Sequence, residues 1–144
     1  MRSGVLLDTG PLVAYLYTRD AYHDWAVETF STLEPPAITC EPVLTEACFL
    51  VVRNGQPAAR VLDHAARSKL RIGLQIEQEL AAIRTLMERY ANVPMSLADA
   101  CLVRLAEITG LPICTLDADF AIYRTNRHRA LTLITPERRS LHEP

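Results

Sequence analysis

The sequence predicts an α/β protein, a three-layer α/β/α sandwich around a mainly parallel sheet. Strand-length apolar runs, "GVLLD", "AITC", "LRIGL", "PICTLD" and "ALTLI", alternate with longer stretches of helical period. Parallel strands need crossover connections, and the intervening helices cover both faces of the sheet. Two of the runs close on an acid, Asp8 and Asp117. In such folds ligands bind beyond the carboxyl ends of the strands, so both acids are expected at the same functional edge.

Each element follows from local chemistry. "GVLLD" is a short buried strand. "TGPLVAYLYTRD" opens a helix, with Pro11 suited to its first position. "YHDWAVETFSTL" is a second helix, and "EPP" breaks the chain before the strand "AITC". Pro42 starts the helix "PVLTEACFLVVRN", which stops at "NG". "QPAARVLDHAARSK" is helical and "LRIGL" a strand. "IEQELAAIRTLMERY" is an amphipathic helix with Ile76, Leu80, Ile83 and Met87 on one face. Ser96 caps the helix "SLADACLVRLAE", and Gly110 closes it. "PICTLD" is a strand, "ADFAIYR" a short helix and "ALTLI" the last strand.

The chain has 144 residues, enough for one domain with a real core, and residues 1–144 are expected to form one. It is 49% hydrophobic and 22% charged, ordinary for a soluble globular protein. No apolar run is long enough to span a bilayer, and the N-terminus does not resemble a signal peptide. A cytoplasmic protein without membrane partners is expected. Cys40, Cys48, Cys101 and Cys114 form no C-x-x-C pair, and the four histidines are scattered, so no zinc spacing exists. The cysteines read as small buried hydrophobes of a reducing compartment. The net charge of −2 excludes a bulk basic nucleic-acid binder. Arg124, Arg127, Arg129, Arg138 and Arg139 nevertheless crowd the C-terminal stretch, either as a solvated tail or as a surface that steers phosphates.

The acids carry the chemistry. Asp99 shares a helix face with Leu102, Val103 and Ala106, at spacings of three, four and seven. An ionised group on that face is costly unless compensated. It also stands three residues after Ser96, a capping-box spacing. Asp8 and Asp117 could likewise cap the helices that follow them. Glu46 lies too deep in its helix to be a cap, and its neighbours Val43, Phe49 and Leu50 predict an inward face. Asp119 follows Asp117 by two residues and could be an ordinary first-turn acid. Together these carboxylates converge on one sheet edge, and Lys69 is the only lysine in the chain. Crowded carboxylates cannot all ionise without a counter-charge. Mg²⁺ or Mn²⁺, which prefers oxygen ligands, resolves the conflict and can orient a phosphate and activate water.

Other acid-bearing α/β sites fit less well. A haloacid-dehalogenase-like phosphatase would need an Asp where Gly10 stands. A phospho-receiver would need a late lysine, and no P-loop is present. Histidine-based RNA cleavage through a cyclic phosphate would need a paired acid and base, and the scattered histidines show no such pair.

At these residues the sequence resembles the PIN-domain family, and within it the VapC-type toxins of prokaryotic toxin–antitoxin pairs. "LLDTGPLVAYL" is similar to the family's opening strand and helix, and "EPVLTEACFL" to the helix carrying its Glu. "SLADACLVRLAEITGLPICTLDADF" is similar to its third-acid helix, strand and acidic turn, and "LTLITP" to its last strand. The resemblance implies that Asp8, Glu46, Asp99 and Asp117 are the acidic quartet. It makes Thr115 their polar partner and Asp119 an alternative or fifth acid. Asp8, Asp99 and Asp117 would then hold Mg²⁺ or Mn²⁺, and Glu46 would act through water or a second ion. It further implies a metal-dependent endoribonuclease that cuts tRNA, rRNA or mRNA, a cognate antitoxin and a homodimer. Two alternatives stand beside it: a non-catalytic interaction protein on the same fold, and a structure-specific DNA nuclease of the 5′-nuclease type.

Overall fold

In the computed structural model, residues 3–136 are described. The elements run β1 (Val5–Leu7), α1 (Thr9–Leu16), α2 (His23–Phe30), β2 (Ala37–Thr39), α3 (Glu41–Arg53), α4 (Ala59–Ser68) and β3 (Arg71–Ile72). A 3₁₀ turn (Ile76–Glu79), α5 (Leu80–Arg89), α6 (Leu97–Thr109), β4 (Ile113–Cys114), a second 3₁₀ turn (Ala118–Ala121) and β5 (Leu133–Ile134) follow. The sheet order is β3-β2-β1-β4-β5, and every pairing is parallel.

Alternation along β1 creates the two cores. Leu6 points to one face, with Ile113 and the apolar sides of α5 and α6. Val5 and Leu7 point to the other, with Cys114 and residues of α1, α3 and α4. The fold is the expected α/β/α sandwich. Leu6, Ile113, Leu102 and Leu105 are fully buried, each contributing about 1.5–3 kcal/mol.

Chain order along the sheet runs outward from β1 in both directions, so the switch point lies between β1 and β4. A crevice opens there because the connections leave the sheet on opposite sides. Asp8 directly follows β1, and Asp117 stands just beyond β4.

Several local expectations shift. Pro11 is the third residue of α1, because Asp8 is the N-cap and Thr9 the first helical residue. The stretch from Ile76 begins as a 3₁₀ turn, not an α-helix. That changes the angular phase, leaves Leu80 59% exposed, and makes Ile83 and Leu86 the buried face of α5. "ADFAIYR" forms only the 3₁₀ turn. Of the cysteines, Cys40, Cys101 and Cys114 are buried and Cys48 is half-buried. No helix among the described residues is long and apolar enough to cross a membrane.

Candidate functional site

A cleft of about 790 Å³ lies at the switch point, and Asp8, Glu46, Asp99, Asp117 and Asp119 all line it. No Lys, Arg or His is among its described lining residues.

Each aspartate of the quartet is held by the start of a helix or turn. Asp8 caps α1: its Oδ1 accepts from Thr9 N at 2.7 Å, and its Oδ2 accepts from Thr115 Oγ1 at 2.6 Å. Thr115 also accepts from Asp117 N at 2.9 Å, which ties the acid after β1 to the turn after β4. Gly10 lets α1 start close to that turn, since a Cβ there would meet Leu116 at 3.2 Å. Asp99 and Ser96 form a reciprocal capping box: Asp99 N donates to Ser96 Oγ at 3.0 Å, and Ser96 N donates to Asp99 Oδ2 at 3.1 Å. Asp117 Oδ1 accepts from Asp119 N at 2.9 Å. The capping readings are therefore correct for three acids, yet they do not compete with a role in the cleft. A capping carboxylate keeps lone pairs free, and the helix dipole favours its charge.

Glu46 differs from expectation. It is exposed, and so is its neighbour Phe49, at 62%. Their side of α3 lies along the mouth of the cleft and not against the core. Thr9 Oγ1 donates to Glu46 Oε1 at 2.8 Å, which draws that carboxylate toward α1.

Burial sets the electrostatics. The Asp8 carboxyl is pushed up to about 6, chiefly by burial; the Thr115 and Thr9 bonds oppose the shift, and the charges of Asp99 and Asp117 add to it. Asp99 is also raised, mainly by burial, with a smaller contribution from Asp117. Among the described residues, no three His, Cys, Asp or Glu side chains stand close enough to close around one ion. The aspartate carboxylates are held by backbone and hydroxyl donors instead.

Tyr123 escaped the sequence reading. Its hydroxyl donates to Asp99 Oδ2 at 3.1 Å from a fully buried ring. Tyr90 packs edge-on against that ring and accepts from Arg124 N at 2.7 Å. Only the spacing of Tyr123 after the acidic turn was available as a signal, and it does not specify a partner 24 positions away. Arg124 does not face the cleft: its guanidinium donates to the carbonyls of Ala121, Ile122 and Tyr123. Arg127 and Arg129 are exposed, and Arg138 and Arg139 lie outside the described residues.

The donor set fits a hard divalent cation. It consists of carboxylate oxygens, partly neutralised by helix starts, with no counter-charge among the described lining residues.

A PIN domain model matches residues 5–126. No curated protein matches the sequence. Among solved structures, the chain is similar to VapC20 of Mycobacterium tuberculosis, described as a sarcin-ricin loop cleaving toxin. The TM-score is 0.70 at 24% identity, covering 82% of this chain and 93% of that one. That likeness shows a shared fold. The family match spans most of the chain, from β1 to beyond the acidic turn, and includes every acid of the cleft: the protein belongs to the PIN domain family.

Proposed function

We propose that this protein is a Mg²⁺- or Mn²⁺-dependent endoribonuclease, the toxin of a toxin–antitoxin pair. One observation carries the reading: among the described residues, five carboxylates and no cationic side chain line the crevice at the switch point of a PIN fold. Asp8, Asp99 and Asp117 would hold the cation, with Asp119 beside Asp117 as the alternative. When bound, the cation supplies Lewis acidity toward water and phosphate oxygens. The chain's own residues do the positioning. Thr115 and Thr9 N orient both oxygens of Asp8. Ser96 N and Tyr123 both donate to Oδ2 of Asp99 and fix that carboxylate at the cleft wall. Glu46, which accepts from Thr9, would act through a bound water or a second ion.

In-line attack by water forms the new P–O bond and breaks the bond to the 3′ oxygen, leaving a 5′-phosphate and a 3′-hydroxyl. A pool of mixed RNA is incubated with purified protein and Mg²⁺ or Mn²⁺, with and without EDTA, and the ends are mapped. Those ends are expected only with metal, and Asp8→Ala and Asp117→Ala abolish them. Cyclic-phosphate ends, or cleavage in EDTA, overturn the mechanism.

The same reading includes a homodimer in the cytoplasm and an antitoxin that places an Arg or Lys in the acidic cleft. Guanidinium pairs bidentately with carboxylates, which suits such a plug. The non-catalytic reading has one observation in its favour, the absence of three acids poised around a single point among the described residues. Lack of any Mn²⁺-induced stabilisation would decide for it.

A further inference from the structure

The acidic cleft has a second kind of wall. Beside the carboxylates it is lined by Phe49, Leu50, Pro94 and Leu116, all apolar. The Phe49 side chain is the open part of that wall, since Leu50 and Leu116 are half-buried. A lone exposed apolar side chain is ordinary, but one continuous with an apolar wall inside a polar cleft marks a binding surface. Phe49 follows Glu46 by three residues on α3, so the two share one side of the helix, about 4.5 Å apart along its axis. Arg53, one turn further on, lays its guanidinium over the Phe49 ring, 5.8 Å from the centroid. Arg53 is exposed, and none of the ion pairs among the described residues uses it. This side of α3 therefore carries a carboxylate, an aromatic ring and an uncommitted cation in order.

We propose that Phe49 is a stacking platform for an unpaired base of the RNA strand next to the scissile phosphate. The proposal rests on the ribonuclease reading above and names how that site grips its substrate. The bases of a single strand are free to turn outward and stack on aromatic side chains, and every base has a π-face to offer. A paired base is already stacked between its neighbours, so the platform takes unpaired segments. The chemistry of the wall matches a nucleotide: the carboxylates face the cation-bound phosphate, and the ring faces the flat base. The charge of Arg53 favours an anionic strand as the occupant. Stacking also needs no counter-charge. It holds the strand in a cleft whose carboxylates repel phosphates until a cation enters.

The probe is a tetramer of adenine nucleotides joined by uncharged methylphosphonate linkages, used with the full chain in EDTA. The carboxylates do not repel a neutral backbone, so binding reports the base contact alone. Phe49→Trp puts a fluorophore on the platform, and the wild type, with Trp25 as its single Trp, is the baseline. The tetramer is expected to quench Phe49→Trp and leave the wild-type emission unchanged, and an abasic strand of the same backbone should quench neither. Anisotropy of a dye-labelled tetramer gives the affinity. Phe49→Ala should weaken it at least about fivefold. Phe49→Leu, which keeps an apolar side chain but no ring, should weaken it as well, and Phe49→Trp should keep it. A second copy of the chain is the competing occupant, so sedimentation compares the wild type with Phe49→Ala, and equal masses are expected. Equal binding of the adenine and abasic strands, full affinity in Phe49→Leu, absent quenching, or a dimer that Phe49→Ala splits overturns the proposal. The ribonuclease reading fails separately, through absent metal-dependent cleavage, to which these metal-free measurements are blind.

Discussion

Asp8 shows how one side chain links stability to function. Its carboxyl is raised from 3.8 to about 6, mainly because it is buried. The folded state therefore holds the proton more tightly than the unfolded chain does. Well below pH 3.8 both states are protonated and the full benefit is present. As pH rises from about 4 to about 6, the unfolded chain ionises first and stability is lost. The loss is bounded at about 3 kcal/mol, from about two units at 1.36 kcal/mol each. In EDTA, Asp8→Asn should remove this part of the pH slope and raise stability at pH 7.5. Urea denaturation of both proteins at pH 4, 5, 6 and 7.5 measures it. Parallel curves would mean that the Asp8 charge is already compensated.

At the level of α6, a cap and a candidate ligand share one carboxylate, that of Asp99. Ser96 Oγ accepts from Asp99 N, while Asp99 Oδ2 accepts from the backbone of Ser96. The two roles are separable because they use different atoms. Ser96→Ala removes the hydroxyl and should cost about 1 kcal/mol. It leaves the bond from Ser96 N to Asp99 and the bond from Tyr123 in place, so the rise in Tm on adding Mn²⁺ should persist. Asp99→Asn should abolish that rise, because an ion that binds only the folded site stabilises it by mass action. Thermal melts with and without Mn²⁺ compare the variants; a full Mn²⁺ shift in Asp99→Asn would leave Asp99 a cap alone. The other end of α6 is equally defined, with Gly110 at φ 72° closing the helix in the left-handed region.

Across the molecule, the acidic crevice and the arginine-bearing loop lie toward opposite ends of α6. A partner that inserts a cation into the crevice neutralises the charge that crowds there and occludes the route to it. Co-expression with such an antitoxin should relieve growth arrest caused by the wild type. Asp8→Ala should cause no arrest even alone. Plating the native host under induction tests both, and a wild-type protein that is harmless alone yet cuts RNA in vitro would remove the toxin reading and spare the nuclease one.

Short-range order was legible because it depends on neighbours. The alternating runs specified the layers; Asp8, Ser96 and Gly110 marked helix ends, and the acids after β1 and β4 marked the edge where the cleft opens. These signals work within about one helical turn or one strand. Three features were decided only by packing. The 3₁₀ start at Ile76 rotated the expected face of α5 and exposed Leu80. Glu46 went to the cleft mouth because the buried residues of α3 are Val43, Ala47 and Val51, a stripe that leaves Phe49 outside. The bond from Thr115 to Asp8 spans 107 positions and exists because β1 pairs with β4, Leu7 opposite Cys114. No local pattern encodes such a partner, since the register of two distant strands is chosen by the burial of whole faces.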